Sequence, residues 1–356
     1  MYSVIHSSSY CKRIIFPFTL IFRVMNERII LFCCLLLSTV LPAQSSLFDA
    51  LHLTRDTVEI GIETDWKGLF KNKKKKIYQP ITLNIQRPFG TISLRGKVRT
   101  RGHTRLEVCQ NPSLKIKLKK GDLLAAGFTE LNDLKCVLQC VRGQLGKSYL
   151  KRERLVYEMH PIFSDFHHRV VPIHLKPSEG LKGSDPHIEA MFVEDEEQLA
   201  DRYQARILEA KRASTSGLQR EAYVNMCLFN YLVLNTDWQV FNLHNVEFIN
   251  IRGSLKFIPI PYDFDYSGFV GTSYAVPFET LNINSVYDPK WLGKDISADE
   301  IKQGAKHFIS KKIEARAFIA NYPTLSGSAK KRLLKRFDEF YEVMENEKKL
   351  LRLLKE

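Results

Sequence analysis

Apolar and polar positions alternate first with a period of two and later with a period near 3.6, so the chain reads as a β-rich first half followed by a helical second half. Residues 57–63 (Thr-Val-Glu-Ile-Gly-Ile-Glu) alternate like a strand. Thr64-Asp65 then caps a short helical piece running to Phe70. Residues 81–85 and 91–98 flank the Pro88-Phe89-Gly90 turn and predict an antiparallel pair. In Leu114-Lys115-Ile116-Lys117-Leu118 the lysines share one face and the apolar residues the other. Residues 133–141, 170–175 and 189–193 are further strand candidates. Between them, Tyr149, Leu150, Glu153, Leu155, Val156 and Met159 fit an amphipathic helix that begins near Gly146 and stops at His160-Pro161.

The second half opens with a run from Leu218 to Leu234 that is apolar almost all round, the signature of a buried helix. A polar loop and a hairpin, Val246–Ile251 with Leu255–Ile260, come next. The remainder is helical and ends in a charged segment, residues 328–356. The polar stretch 194–215 shows little apolar periodicity and serves as a soft boundary. The organisation expected is a β-rich small lobe over 45–195 and a helical large lobe over 196–356.

At the N-terminus, residues 29–41 form an apolar run with Arg28 before it and Leu41-Pro42-Ala43-Gln44 after it. That order is the one an export signal needs, and the run is short for a membrane span. Residues 25–44 are therefore expected to be a signal peptide and residues 1–24 an upstream extension, with no stable transmembrane span after cleavage. Export leads to a periplasmic, cell-surface or secreted protein. Of seven cysteines, Cys109, Cys136, Cys140 and Cys227 remain after cleavage, and three pairings are open to them. Cys136 and Cys140 are too far apart along a straight strand to bond to each other.

The 356 residues are 44% hydrophobic and 26% charged, which suits a globular protein and not a disordered one. The formal net charge is +14, part of it from Lys73-Lys74-Lys75-Lys76 and the C-terminal segment. The charge reads first as solvated faces. It is accompanied by no zinc finger, ribonucleoprotein motif or recognition helix, so no specific nucleic acid is expected as partner.

The candidate chemistry lies between the buried helix and the end of the hairpin. Asn235-Thr236-Asp237-Trp238 is followed by Asn242-Leu243-His244-Asn245 and then by Pro261-Tyr262-Asp263-Phe264-Asp265. An acid, an amide and a second acid on loops between apolar elements are what a kinase-like site uses to place a base and two oxygen ligands for magnesium. Asp237 follows the helix directly. Asn245 immediately precedes a strand and Asp263 immediately follows its partner, with Asn242 and Asp265 as alternatives for the same two roles. Taken alone, Asn-Thr-Asp is also a common cap-and-turn sequence.

Three stretches resemble the spore coat protein H (CotH) kinase-like family, in particular its exported bacterial members. They are Arg99-Thr100-Arg101-Gly102-His103 leading to Asn111-Pro112-Ser113-Leu114-Lys115-Ile116-Lys117, then Met191-Phe192-Val193-Glu194-Asp195, and the Asp237/Asn245/Asp263 set with Pro261-Tyr262-Asp263 where family members often show Pro-Trp-Asp. The resemblance implies an α+β, two-lobed atypical protein-kinase-like fold, with ATP and Mg²⁺ or Mn²⁺ as cofactors and transfer of phosphate to a protein or envelope-polymer hydroxyl. Residue by residue it implies Asp237 as the catalytic-loop acid, Asn245 and Asp263 as metal ligands, and Lys115, or Lys117 on the same face, as the phosphate-binding lysine. It also implies Glu153 as that lysine's partner and Glu194 near the hinge. No glycine-rich loop of the protein-kinase kind is present, and the gap from Asp237 to Asn245 is long for a kinase. These departures keep a catalytically silent scaffold as the alternative. A metal-dependent hydrolase using Asp237, His244 and Asp263 is a third reading.

Overall fold

The computed structural model describes residues 44–88, 90–176 and 187–355. The expected signal peptide and upstream extension lie outside the described residues, apart from Gln44. Residues 45–356 form one compact unit of α+β architecture. The chain order is α1 (Leu47–Leu53), β1 (Val58–Glu63), α2 (Trp66–Lys71), β2 (Gln79–Arg87), β3 (Gly90–Thr100), α3 (Thr104–Val108), β4 (Leu114–Leu118), α4 (Lys120–Ala125), β5 (Asp133–Leu138), α5 (Gly143–Met159), β6 (Val170–Lys176) and β7 (Ile188–Val193). It continues with α6 (Glu196–Arg202), β8 (Ala205–Ile207), α7 (Arg220–Leu232), β9 (Val246–Ile251), β10 (Ile258–Pro261), α8 (Ala298–Ser310), α9 (Lys312–Asn321), α10 (Gly327–Met344) and α11 (Glu347–Arg352).

β1 to β7 close into a barrel in the order β1-β2-β3-β4-β5-β7-β6, with β1 and β6 parallel and the other neighbours antiparallel. The period-two pattern explains the wall. In β4, Leu114, Ile116 and Leu118 are buried while Lys115 and Lys117 face outward. The interior is filled by Ile60, Ile62, Leu83, Leu94, Val98, Ile116, Leu134, Ile173 and Phe192. Closing the ring removes the exposed edges that an open sheet of this length would carry. Asp65 caps α2 by accepting from the Gly68 N–H, as its position in the sequence predicts.

α5, between β5 and β6, lies against the outside of β6 and β7 and meets α9 of the helical part. There α7 is the centre. Tyr223, Val224, Met226, Cys227, Leu228, Phe229 and Leu232 are all buried, which accounts for its nearly uniform apolarity. Around it Phe163 stacks on Phe308 at 4.5 Å and Phe229 meets Phe264 edge-on.

The polar stretch after residue 194 is not a plain linker. Asp195 caps α6 through the Glu197 N–H, and β8 pairs with β9 to extend the β9–β10 hairpin into a three-stranded sheet. These elements are too short to show periodicity. The second hairpin strand also begins at Ile258 and not at Leu255, because Ser254 and Lys256 are tied up in the turn with Asn250. Cys109 and Cys140 form a disulfide, and Cys136 and Cys227 are buried and free. Among the described residues no helix is long and apolar enough to cross a membrane.

Candidate functional site

A cleft of about 240 Å³ is lined by the loop after β3 and the start of α3 (Arg101 to Arg105), by Lys135 on β5, by Glu153 and Tyr157 on α5, by His168, and by Asp237, His244, Asn245, Tyr262, Asp263, Asp265 and Tyr266. Residues more than a hundred positions apart therefore meet in one crevice.

The end of α7 builds its first corner. Leu234 takes a left-handed φ of 55° and stops the helix. Asn235 then folds back. Its Nδ2 donates to Asn230 Oδ1, and its Oδ1 accepts from the Asp237 N–H at 3.1 Å. This is the local side-chain turn that Asn-Thr-Asp favours, and the same turn presents the Asp237 carboxylate to the cleft. Gln239 and His244 exchange both backbone hydrogen bonds at 2.9 Å, so the chain makes a tight hairpin across residues 240–243. That hairpin absorbs the long gap. Asn245 returns to Asp237, its Nδ2 donating to the Asp237 carbonyl at 2.8 Å and to Oδ2 at 3.0 Å. His244 Nε2 lies 2.9 Å from Asp237 Oδ1. The hydrogen bond to Asp237 raises the His244 pKa. Asn242, at the hairpin tip, is exposed and stands outside this cleft.

β10 ends at Pro261 and delivers the second corner. Asp263 takes a φ of 61° and Asn245 a φ of 52°, both left-handed. Non-glycine residues in this region cost about 1 kcal/mol or more, and such strain gathers at functional positions. Phe264 is fully buried against Tyr157 (5.0 Å, edge-on), an apolar anchor that fixes the aspartates on either side. The Asp263 N–H donates to Tyr157 Oη at 2.8 Å.

The two aspartates have different company. Asp265 Oδ2 accepts from Arg105 Nε and from Tyr274 Oη, each at 2.9 Å. Arg105 Nη2 donates to Glu153 Oε2 at 2.7 Å. By contrast, no hydrogen bond or ion pair among the described residues reaches the Asp263 carboxylate. Burial, with the neighbouring Asp265 charge, pushes its pKa up to about 8. Burial likewise lifts Glu153 to about 7, with Arg105 opposing, and Glu153 Oε1 is buried with no hydrogen-bond partner.

These groups fit a hard divalent cation. A free carboxylate, an orphaned carboxylate oxygen and the Asn245 amide oxygen are the donor types magnesium takes. Acids poised to lose a proton when a cation arrives are what such a site needs. Asp263 and Asn245 would be the residues to hold it. Asp265 is already satisfied by Arg105 and Tyr274.

The predicted lysines do not reach this crevice. Lys115 Nζ is 2.9 Å from Asp133 Oδ2, and Lys117 Nζ is 3.6 Å from Asp133 Oδ1, on the outer wall of β4. Lys135, paired in register with Lys115 on the next strand, lines the cleft. Its Nζ lies 2.5 Å from Glu196, 3.5 Å from Glu247 and 3.8 Å from Asp195. Burial and the adjacent Glu196 raise Asp195 to about 7. Glu153 lines the cleft, and its partner is Arg105 and not a lysine of β4. Glu194 is fully buried, held by Arg169 and Arg202 at 2.7 Å each, and does not line the cleft.

Lys135 and Arg105 join the cleft without having been singled out by their sequence pattern. A signal for the first existed: Lys135 sits on the strand directly before the helix that carries Glu153. Nothing local distinguished Arg105 from the other basic residues around it.

No protein-family model matches the chain, and no curated protein matches it. Among solved structures the chain is similar to the crystal structure of a Helicobacter pylori proinflammatory kinase, CtkA, at 10% identity and a TM-score of 0.38, over 67% of this chain and 91% of that one.

Proposed function

We propose that the protein is a metal-dependent, kinase-like phosphotransferase that moves the γ-phosphate of ATP to a hydroxyl of a protein or surface polymer. The observation that carries this reading is the meeting of Asp237, Asn245, Asp263 and Lys135 around one cleft, with Asp263 uncommitted and left-handed. Phosphoryl transfer asks mainly for positioning and charge neutralisation. Asp237, held by Asn245 and His244, orients the acceptor hydroxyl. Asp263 and Asn245 hold Mg²⁺ or Mn²⁺, which neutralises charge on the transferred group. Lys135 takes the phosphate-binding role in place of Lys115 or Lys117. Arg101, in the loop around Gly102, adds positive charge at the mouth. Export is part of the reading, and a disulfide suits an oxidising compartment.

Arg105 favours a second reading. It spans Glu153 and Asp265 in the cleft wall, and the cleft volume of about 240 Å³ is below the roughly 300 Å³ at which small-molecule pockets usually begin. A silent scaffold that keeps the kinase-like frame without turning over ATP matches that arrangement.

One experiment separates the two. Purified protein is melted with ATP, with Mg²⁺, and with both. An enzyme shows a stabilisation that needs both and that Asp263→Ala abolishes. No shift at millimolar nucleotide leaves the scaffold. Incubation with labelled ATP and an envelope fraction then searches for the acceptor.

A further inference from the structure

On the outer face of the barrel, away from the cleft, β1, β6 and β7 bring four metal-competent side chains together. Glu59 on β1 is in register with His174 on β6, and His174 is in register with Glu189 on β7. The three therefore form a single rung across neighbouring strands, on the face where alternate residues are half-buried. His187 lies two residues before Glu189. The His174 and His187 rings stack at 3.9 Å with planes 24° apart. One ligand atom from each of His174, His187 and Glu189 falls within 4.8 Å of the others.

We infer that this rung is a binding site for a borderline divalent transition ion of the Zn²⁺ class. Two imidazoles and one carboxylate are a zinc donor set, with a fourth position left for water. Imidazole nitrogen selects such ions over magnesium.

The decisive detail is Glu59. Its Oε1 lies 2.9 Å from His174 Nδ1. A carboxylate accepting from Nδ1–H fixes the tautomer and leaves the Nε2 lone pair free to coordinate, the arrangement that orients zinc-bound histidines. Lys151 Nζ, 3.2 Å from Glu189 Oε1, engages one oxygen of that carboxylate. The other oxygen stays free for the ion. Coordination at about 2.0–2.1 Å requires the His187 ring to turn out of its stack with His174. The bound ion then ties β1, β6 and β7 together at one end of the barrel.

The test is calorimetric titration of untagged, EDTA-stripped protein with Zn²⁺ in excess Mg²⁺, which occupies the acids of the cleft. The expected result is one equivalent of Zn²⁺ at micromolar or tighter affinity. His174→Ala and His187→Ala each weaken it by at least about 100-fold, and Glu59→Gln weakens it by about 10-fold by releasing the tautomer. Lys117→Ala, on the far strand β4, leaves the Zn²⁺ affinity unchanged. Far-UV circular dichroism checks each variant, and His187→Ala, just outside β7, tests the site even if a change within β6 unfolds the barrel. The inference is overturned if the protein takes up no Zn²⁺ at 100-micromolar concentrations, or if the folded His174→Ala/His187→Ala variant binds it as tightly as the original.

Discussion

Arg105 Nη2 donates to Glu153 Oε2 at 2.7 Å while its Nε donates to Asp265 Oδ2 at 2.9 Å, so one guanidinium joins helix α3, helix α5 and the segment after β10. All three side chains are nearly buried, at 9%, 2% and 6% exposure. Removing one partner of a buried ionic set leaves uncompensated charge and typically costs 3–5 kcal/mol. Arg105→Ala is expected to lose about 4 kcal/mol in urea denaturation. Arg105→Ala combined with Glu153→Gln and Asp265→Asn should recover much of that loss, since the stranded charges are then gone.

Asp263→Asn separates strain from charge. Asparagine tolerates the left-handed backbone, so the fold is retained, and the repulsion from Asp265 disappears. Without Mg²⁺ the variant should melt at or above the temperature of the original. With ATP and Mg²⁺ it should show no further rise, while the original does. Asp263→Ala loses the same response and also about 1 kcal/mol of stability from backbone strain.

The pH dependence has a definite sign. Asp263 is raised to about 8 and Glu153 and Asp195 to about 7, all above their unfolded values near 4. The folded state therefore holds more protons than the unfolded one between those limits, and the stability these groups contribute is full below about pH 4 and lost as pH rises through 7 to 8. Metal-free protein should lose stability between pH 5 and pH 8 more steeply than Asp263→Asn does. Mg²⁺ should flatten the difference. Thermal melts across pH with and without the ion read this directly.

Lys135→Met and Lys115→Met distinguish two lysines one strand apart. The two stand side by side on the same face and share Asp195 and Glu196, but Lys135 lines the cleft while Lys115 is drawn to Asp133 at 2.9 Å. The Lys135 variant should lose the nucleotide-dependent shift and any phosphate transfer. The Lys115 variant should keep both within about threefold, the range expected of a side chain outside the site. Equal loss in both would move the phosphate-binding role back to β4.

The Cys109–Cys140 bond closes a 31-residue separation and pins the end of α3, just past the cleft loop, to the chain after β5. Cys109→Ser with Cys140→Ser should cost about 3 kcal/mol, mainly through a freer unfolded chain. Reductant should lower the melting temperature of the original and leave that of the double variant unchanged.

Much of this was readable in the chain. Strands with one apolar face, as in Leu114–Leu118, and a helix apolar on every side, as in α7, report their own burial. Asp237, Asn245 and Asp263 could be singled out because each borders an element of clear period. The short pieces α3, α6 and β8 were not readable, since five to seven residues or fewer complete too few turns or alternations to signal anything. Spacing from Asp237 favours Asn242, and the strand that starts right after Asn245 favours that residue instead; the Gln239–His244 bonds form the hairpin that brings Asn245 back to Asp237.

By itself the sequence determined where strands and helices form and which loops carry acids and amides, because periodicity and turn chemistry are local. Only the tertiary structure decided which lysine enters the cleft, that Arg105 binds both Glu153 and Asp265, and that Cys109 meets Cys140. Register and ring closure set those pairings. A shift of one strand or one residue would place a different side chain there at almost no change in local preference.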